Sequence, residues 1–293
     1  MFYRRKTILA LLQMFEGELN KIRLQKLLFL FTQYQEKKEY DFVPYKFGCY
    51  SFSANADLTA MVQKGILSGT DTKIMLSDKS NYIDMLKLAD KAYLQKIKEL
   101  YKNMDNNDLM RYTYINYPYW AINSEASDIL SEKEYAKVNS QKLNTKDTIL
   151  FTIGYEGISL EEYLNRLVKN DVKMLIDVRS NPLSMKFGFS KSQLSNYCSK
   201  LDIEYIHIPS LGIKSEQRQE LNDQSDYDKL FANYCKNTLA NTKDEQEKVF
   251  SLIVKYNRIA LTCFEADINQ CHRRHLSNAI SSRLDFAYEL RHI

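Results

Sequence analysis

The second half of the chain alternates between short β-branched runs and helical stretches, and no other feature restricts the fold as much. Residues 149–153 are β-rich, 160–168 helical, 172–178 apolar and β-branched, 191–200 helical and 203–208 strand-like. After a polar middle, a helix near 246–256, a strand over 259–264, a helix over 271–283 and a last strand around 286–290 complete the series. Alternation of this kind, with central strands apolar throughout, predicts a Rossmann-like, mostly parallel α/β sheet with helices on both faces.

In open parallel sheets, ligands bind beyond the carboxyl ends of the strands, where loops vary without disturbing the sheet. Three segments rich in reactive side chains occupy that position. Gly154-Tyr155-Glu156-Gly157 follows the first strand, Asp177-Val178-Arg179 ends the second, and Cys263-Phe264-Glu265 ends the strand that precedes Cys271-His272-Arg273-Arg274. Their convergence on one sheet edge predicts a site.

Each residue also has a purely structural reading. Gly154 and Gly157 serve tight turns, and Ser159 with Glu162 has the pattern of a capping box. Asp177 and Arg179 share a strand face, so they form either a structural ion pair or a functional set in which Arg179 forks onto phosphate and Asp177 orients it or acts as a base. Cys263 suits a buried strand end, whereas Glu265 beside it does not suit a core. Cys271 opens a helix, where backbone N–H groups lower a thiol pKa, and His272, Arg273 and Arg274 add to that field. Zinc on Cys263, Cys271 and His272 is the metal alternative, but the spacing C-x7-C-H matches no common zinc pattern, so the expectation is no bound metal or cofactor. The loop after Arg179 interleaves Lys186 and Lys191 with Phe187 and Phe189, a composition that grips phosphate and stacks a base. No G-x-x-x-x-G-K-[ST], G-x-G-x-x-G or H-E-x-x-H occurs, which argues against a P-loop triphosphatase, a dinucleotide enzyme and a zincin.

The first half differs in kind. Apolar residues recur at helical spacing over 7–35 with a polar break at 16–20, giving two amphipathic helices. The aromatic segment 44–51 is not helical throughout, a helix over 54–64 stops at Gly65, and 66–76 reads as a hairpin. Helix, helix, helix, hairpin is the order of a winged helix-turn-helix. Further helices are expected over 82–102 and 107–117. The boundaries are then a winged-helix-like helical domain at 1–124, a polar linker at 125–147 and the α/β domain at 148–293. Residues 1–100 carry 16 Lys and Arg against 11 Asp and Glu, while residues 148–293 carry 19 of each, so the basic excess that could meet nucleic acid sits in the first domain. Five cysteines at irregular spacing argue for reduced thiols rather than a disulfide framework. With no bilayer-length apolar run and no signal-peptide pattern, a cytoplasmic protein without a membrane partner is expected.

The motifs of the second half, Thr152-Ile153-Gly154-Tyr155-Glu156-Gly157, Asp177-Val178-Arg179-x-x-Pro182-x-Ser184, Phe189-Ser190-Lys191, the run from Ile203 to Gly212, and Cys263-x-Glu265 with Cys271-His272-Arg273, occur in an order that resembles the bacterial domain-of-unknown-function family 488. The resemblance spans about 148–293 and implies a Rossmann-like domain rather than a particular reaction. Through Leu24-Gln25-Lys26-Leu27-Leu28-Phe29-Leu30 and residues 44–51, the first half is similar to the winged-helix part of Panacea-type antitoxin domains, which usually carry Pro where this chain has Cys49. That similarity implies a module that binds a protein or a nucleic acid.

The resulting functional expectation is a hydrolase that cleaves a glycosidic or phosphodiester bond of nucleic acid or a nucleotide. Asp177 and Glu265 are its acid–base candidates, with Cys271 as an alternative nucleophile. Arg179, Arg273 and Lys186 are assigned to phosphate, Tyr155 to stacking, and Glu156, Phe187 and His272 to further substrate contacts. The rival expectation is a non-catalytic nucleic-acid-binding or anion-sensing regulator in phage defence or toxin–antitoxin control.

Overall fold

The computed structural model describes residues 1–218 and 224–293, and the chain divides into two compact units, Met1–Lys142 and Leu143–Ile293. The first unit begins with α1 (Tyr3–Met14), β1 (Glu18–Asn20) and α2 (Lys21–Thr32), followed by a hairpin of β2 (Val43–Tyr45) and β3 (Gly48–Tyr50). Next come α3 (Phe52–Gln63) and a second hairpin of β4 (Leu67–Gly69) and β5 (Lys73–Leu76). Because β1 pairs with β5, a three-stranded antiparallel sheet of order β1-β5-β4 backs the three helices. The expected helix, helix, helix, hairpin order is present, with the aromatic segment folded as an inserted hairpin.

Both early helices are more central than an amphipathic pattern suggests. Residues 7–12 of α1 and 24–32 of α2 are buried without interruption, so these helices form the middle of the unit's core rather than its surface. The polar pair this buries is satisfied by the inserted hairpin. Gln25 accepts from the Ser51 N–H at 2.9 Å, and the Lys26 ammonium donates to the Phe47 and Cys49 carbonyls. Burial pulls the Lys26 pKa down, against the opposing influence of Cys49.

The unit ends with α4 (Leu88–Tyr101), α5 (Asn106–Asn116) and α6 (Glu132–Asn139). The fourth helix starts six residues later than the apolar pattern predicts, because the Gln13 side chain accepts from the Tyr82 and Ile83 N–H groups and holds them in a turn. The polar stretch expected as a linker contains α6, which is fixed by a reciprocal capping box between Ser131 and Glu134.

The second unit runs β6 (Ile149–Gly154), α7 (Leu160–Lys169), β7 (Met174–Asp177), α8 (Lys191–Ser199), β8 (Glu204–His207), α9 (Gln224–Asn233), α10 (Lys243–Tyr256), β9 (Arg258–Cys263), α11 (His272–Ser281) and β10 (Glu289–His292). All five strands are parallel, in the order β10-β6-β9-β7-β8. Every residue of β6, β7 and β9 is buried, which explains their unbroken apolar runs. Ile259 and Leu261 of β9 pack with Val249 and Ile253 of α10 and Leu276 and Ile280 of α11. On the opposite face, Tyr163 of α7 donates from its hydroxyl to Thr262 at 2.8 Å. Helices therefore cover both faces, as expected.

Ser159 caps α7 by accepting from the Glu162 N–H at 3.0 Å. Ser159→Ala should destabilise the unit by about 1 kcal/mol, measured by denaturant unfolding. Among the described residues, no helix is long and apolar enough to cross a membrane.

Candidate functional site

The strand order places β9 between β6 and β7, so the three motif-bearing strand ends are immediate neighbours. Cys263 pairs in register with Gly154, and Asp177 with Thr262. This adjacency demands a close backbone approach. A Cβ on Gly154 would lie 1.9 Å from the Glu265 carbonyl oxygen, so only glycine lets the loop after β9 cross the end of β6. The Tyr155 and Glu156 N–H groups both donate to the Phe264 carbonyl, and the Glu156 carboxylate accepts from the Ala266 N–H at 3.0 Å. Arg273 reaches back from α11 and donates to the carbonyls of Glu265 and Ala266. Glu156 and Arg273, expected as substrate contacts, thus brace the loop that carries Glu265.

Asp177 and Arg179 form the ion pair that the shared strand face allowed. Arg179 Nε donates to one Asp177 oxygen at 2.9 Å and an Nη to the other. The Tyr205 hydroxyl and the Arg179 N–H also donate to Asp177. Arg179 spends its remaining Nη on the Tyr155 hydroxyl at 2.8 Å and the Phe189 carbonyl at 2.9 Å. Burial works against the Arg179 charge, but its bonds to Asp177 and Tyr155 outweigh it and raise its pKa. Asp177 is wholly buried and Arg179 nearly so, which leaves neither free to serve as a base or a phosphate fork. The Tyr155 ring stacks on Phe189 at 4.2 Å and 10°, and Lys186 donates to the Tyr155 carbonyl at 2.7 Å. Tyr155 and Lys186 therefore also belong to this scaffold, while Phe187 stays partly exposed beside Tyr197.

The reactive groups gather on the other side of β9. Cys263 Sγ lies 3.1 Å from Glu265 Oε2 and 3.7 Å from His272 Nδ1. His272 Nε2 sits 3.2 Å from the Val178 carbonyl, and Arg218 Nη2 is 3.1 Å from His272 Nδ1. The tautomer with the proton on Nε2 satisfies both contacts. Arg218 also pairs with Glu265.

The thiol assignment suggested by helix position is corrected. Cys271 is the N-cap of α11 but is wholly buried, and burial together with Cys263 and Glu265 pushes its pKa well up. Burial also raises Cys263, yet the hydrogen bond from Cys271, the contact with His272 and the charge of Arg218 prevail and hold it well below the ordinary thiol value. Of the two neighbouring thiols, Cys263 is the one that lines a cavity and donates to Glu265.

Above this cluster opens a cavity of about 310 Å³, lined by Tyr155 and Arg179 of the expected substrate contacts and by Ser180, Asn181, Ser184, Ser215, Arg218, Cys263 and Phe264 among others. Of its lining, Phe264 and Leu183 are exposed. Arg218 is the functional residue that motif reading missed. The only sequence signal is its place six residues beyond Gly212, in a polar stretch that predicts no structure.

The first unit has a separate cavity of about 220 Å³ beside Lys26, Phe47 and Tyr50, with no carboxylate among its lining residues. Its helix α3, the third helix of the expected helix, helix, helix, hairpin order, contains no Lys or Arg. Among curated proteins, none matches the chain. Residues 159–280, which hold Asp177, Arg218, Cys263, Glu265, Cys271 and His272 and lie in the C-terminal half, match the family model described as "Domain of unknown function DUF488".

Proposed function

We propose that the second unit is a hydrolase for a phosphate-bearing, ring-containing substrate of the nucleotide class, free or within a nucleic acid, with Glu265 as its acid–base group. The observation that carries this reading is the Glu265 carboxylate, held by Arg218 and 3.1 Å from the Cys263 thiol, two partners that themselves line an open cavity beyond three adjacent strand ends. The hydroxyl and amide groups of Ser180, Asn181, Ser184 and Ser215 suit phosphate and sugar oxygens, and exposed Phe264 offers a face to a base. In the step envisaged, Glu265 takes a proton from water as the water oxygen bonds to the electrophilic carbon or phosphorus. The bond to the leaving group breaks with its electron pair, and that group receives the proton. This chemistry applies equally to a glycosidic or a phosphodiester bond.

Purified full-length chain should hydrolyse at least one member of a panel of nucleotides, single strands and duplexes. Glu265→Gln should lower kcat by roughly two to four orders of magnitude while leaving binding within a few-fold. A panel turned over equally by Glu265→Gln would remove the catalytic reading. The saturation of Asp177 by Arg179 favours a second reading, an anion-sensing regulator in phage defence or toxin–antitoxin control, because among the described residues it leaves Glu265 as the cluster's single carboxylate. That reading expects binding without turnover, abolished by Arg218→Ala. For the first unit, the lack of cations on α3 supports a protein partner over base readout in a DNA groove. Glu substitutions at exposed Thr59 and Gln63 of α3 should then leave nucleic-acid binding by the full chain unchanged, as judged by fluorescence anisotropy.

A further inference from the structure

We propose that Cys263, Cys271 and His272 form a buried binding site for a single zinc-like divalent ion, reached from the cavity through Cys263, the one of the three that lines it. Their donor atoms, two Sγ and Nδ1, lie within 4.8 Å of one another, and Cys263 Sγ is 3.7 Å from Nδ1. A tetrahedral ion with bonds of about 2.3 Å to sulfur and about 2.0–2.1 Å to nitrogen holds such donors roughly 3.5–3.8 Å apart. Small side-chain adjustments therefore complete the geometry.

Three further observations point the same way. First, His272 Nε2 is tied to the Val178 carbonyl at 3.2 Å, the outer contact that fixes a metal-bound histidine and aims its other nitrogen at the ion. Second, the ligands stand on rigid supports. Cys263 ends the fully buried β9, Cys271 and His272 open α11, and Arg273 pins the intervening loop through the Glu265 and Ala266 carbonyls. Third, a cation already faces this donor set, since Arg218 Nη2 lies 3.1 Å from Nδ1. An ion bound to Nδ1 displaces that contact and leaves Arg218 on Glu265.

Donor chemistry decides the class of ion. Two thiolates and an imidazole select zinc-like metals over magnesium or calcium, and two thiolates neutralise a divalent charge inside the fold. The spacing C-x7-C-H escapes the usual motifs because the ligands come from a strand end and the next helix start rather than from paired turns. Three protein ligands leave a fourth position, and Cys263, the ligand that lines the cavity, is where it would open to water or substrate, as in catalytic rather than structural zinc sites. With an ion bound, the Cys263 proton would leave to solvent, and Glu265 Oε2, which now accepts from that thiol, would be left to accept from a water. That catalytic consequence rests on the hydrolytic reading above, whereas the binding site itself does not.

The test uses the reduced, chelator-treated full chain titrated with Co²⁺ and then with Zn²⁺. One Co²⁺ per chain should bind, with sulfur-to-cobalt charge-transfer absorption and tetrahedral visible bands that Zn²⁺ abolishes. Cys263→Ser and Cys271→Ser should each weaken binding by more than roughly 100-fold, beyond the loss that removing an outer partner causes. Cys198→Ser, on a different helix, should leave both stoichiometry and spectrum unchanged. No Co²⁺ on folded, reduced wild-type chain would overturn the site, as would a spectrum unaltered in Cys263→Ser. Formation of a Cys263–Cys271 disulfide in a chain that binds no Co²⁺ would also overturn it and assign the pair to redox chemistry. Full Co²⁺ binding by a chain whose turnover is insensitive to Glu265→Gln would uphold the metal site and remove only the hydrolytic reading.

Discussion

Arg179→Met should destabilise the second unit by about 3–5 kcal/mol, because it strands a wholly buried carboxylate without its counter-charge. The loss extends past the pair. The Tyr155 hydroxyl and the Phe189 carbonyl each lose a donor from Arg179, and both residues belong to the stacked aromatic scaffold under the first motif. Denaturant unfolding measures the effect, and a second variant separates its causes. Replacing both partners, as in Asp177→Leu with Arg179→Met, should recover much of the single-mutant loss, since apolar side chains of similar volume remove the desolvated charges altogether. If activity in Asp177→Asn falls only in proportion to the folded fraction, Asp177 is a scaffold residue. A well-folded Asp177→Asn chain that is inactive would restore it to the chemistry.

Gly154→Ala should be the most disruptive single-methyl change in the chain. The new Cβ would sit 1.9 Å from the Glu265 carbonyl oxygen and 2.7 Å from its carbon, distances that require backbone movement. Overpacking of this kind costs about 1–3 kcal/mol. The larger consequence is local, because the displaced peptide carries Glu265 and is the one Arg273 holds. Turnover and the cobalt spectrum should both change, even where the unit remains folded. Gly157→Ala provides the contrast. Its Cβ meets nothing within 4 Å, but its φ of +77° strains any L side chain, so it should cost roughly 1–2 kcal/mol and leave the cluster in place.

The parallel sheet was legible in the sequence because β6, β7 and β9 are buried on both faces, and burial on both faces leaves unbroken apolar runs. The last strand was less legible. It was expected near 286–290 and lies at Glu289–His292, where an edge position leaves three of four residues exposed and no apolar pattern to read. Convergence of the motifs at one edge was also readable, since it depends only on strand polarity. Roles within the motifs were not. Whether Arg179 faces a ligand or Asp177 depends on side-chain partners, and Tyr205, which completes the Asp177 shell, comes from a strand 28 residues away. The same limit hid Arg218 and reversed the two thiols, because burial and cross-chain neighbours set their ionisation more than a helix terminus does.

The central place of β9 also bears on the order of synthesis. Residues 149–177 leave the ribosome with β6 and β7 made but unable to pair with each other, since the strand that separates them is residues 258–263. Until then, both expose apolar edges on a nascent chain, the condition that favours chaperone capture and misassembly. Closing so long a connection makes insertion of β9 the slow step of folding for this unit. The cluster on that strand accordingly cannot assemble before β9 and the start of α11 are made, so a chain that ends short of residue 272 cannot hold the site.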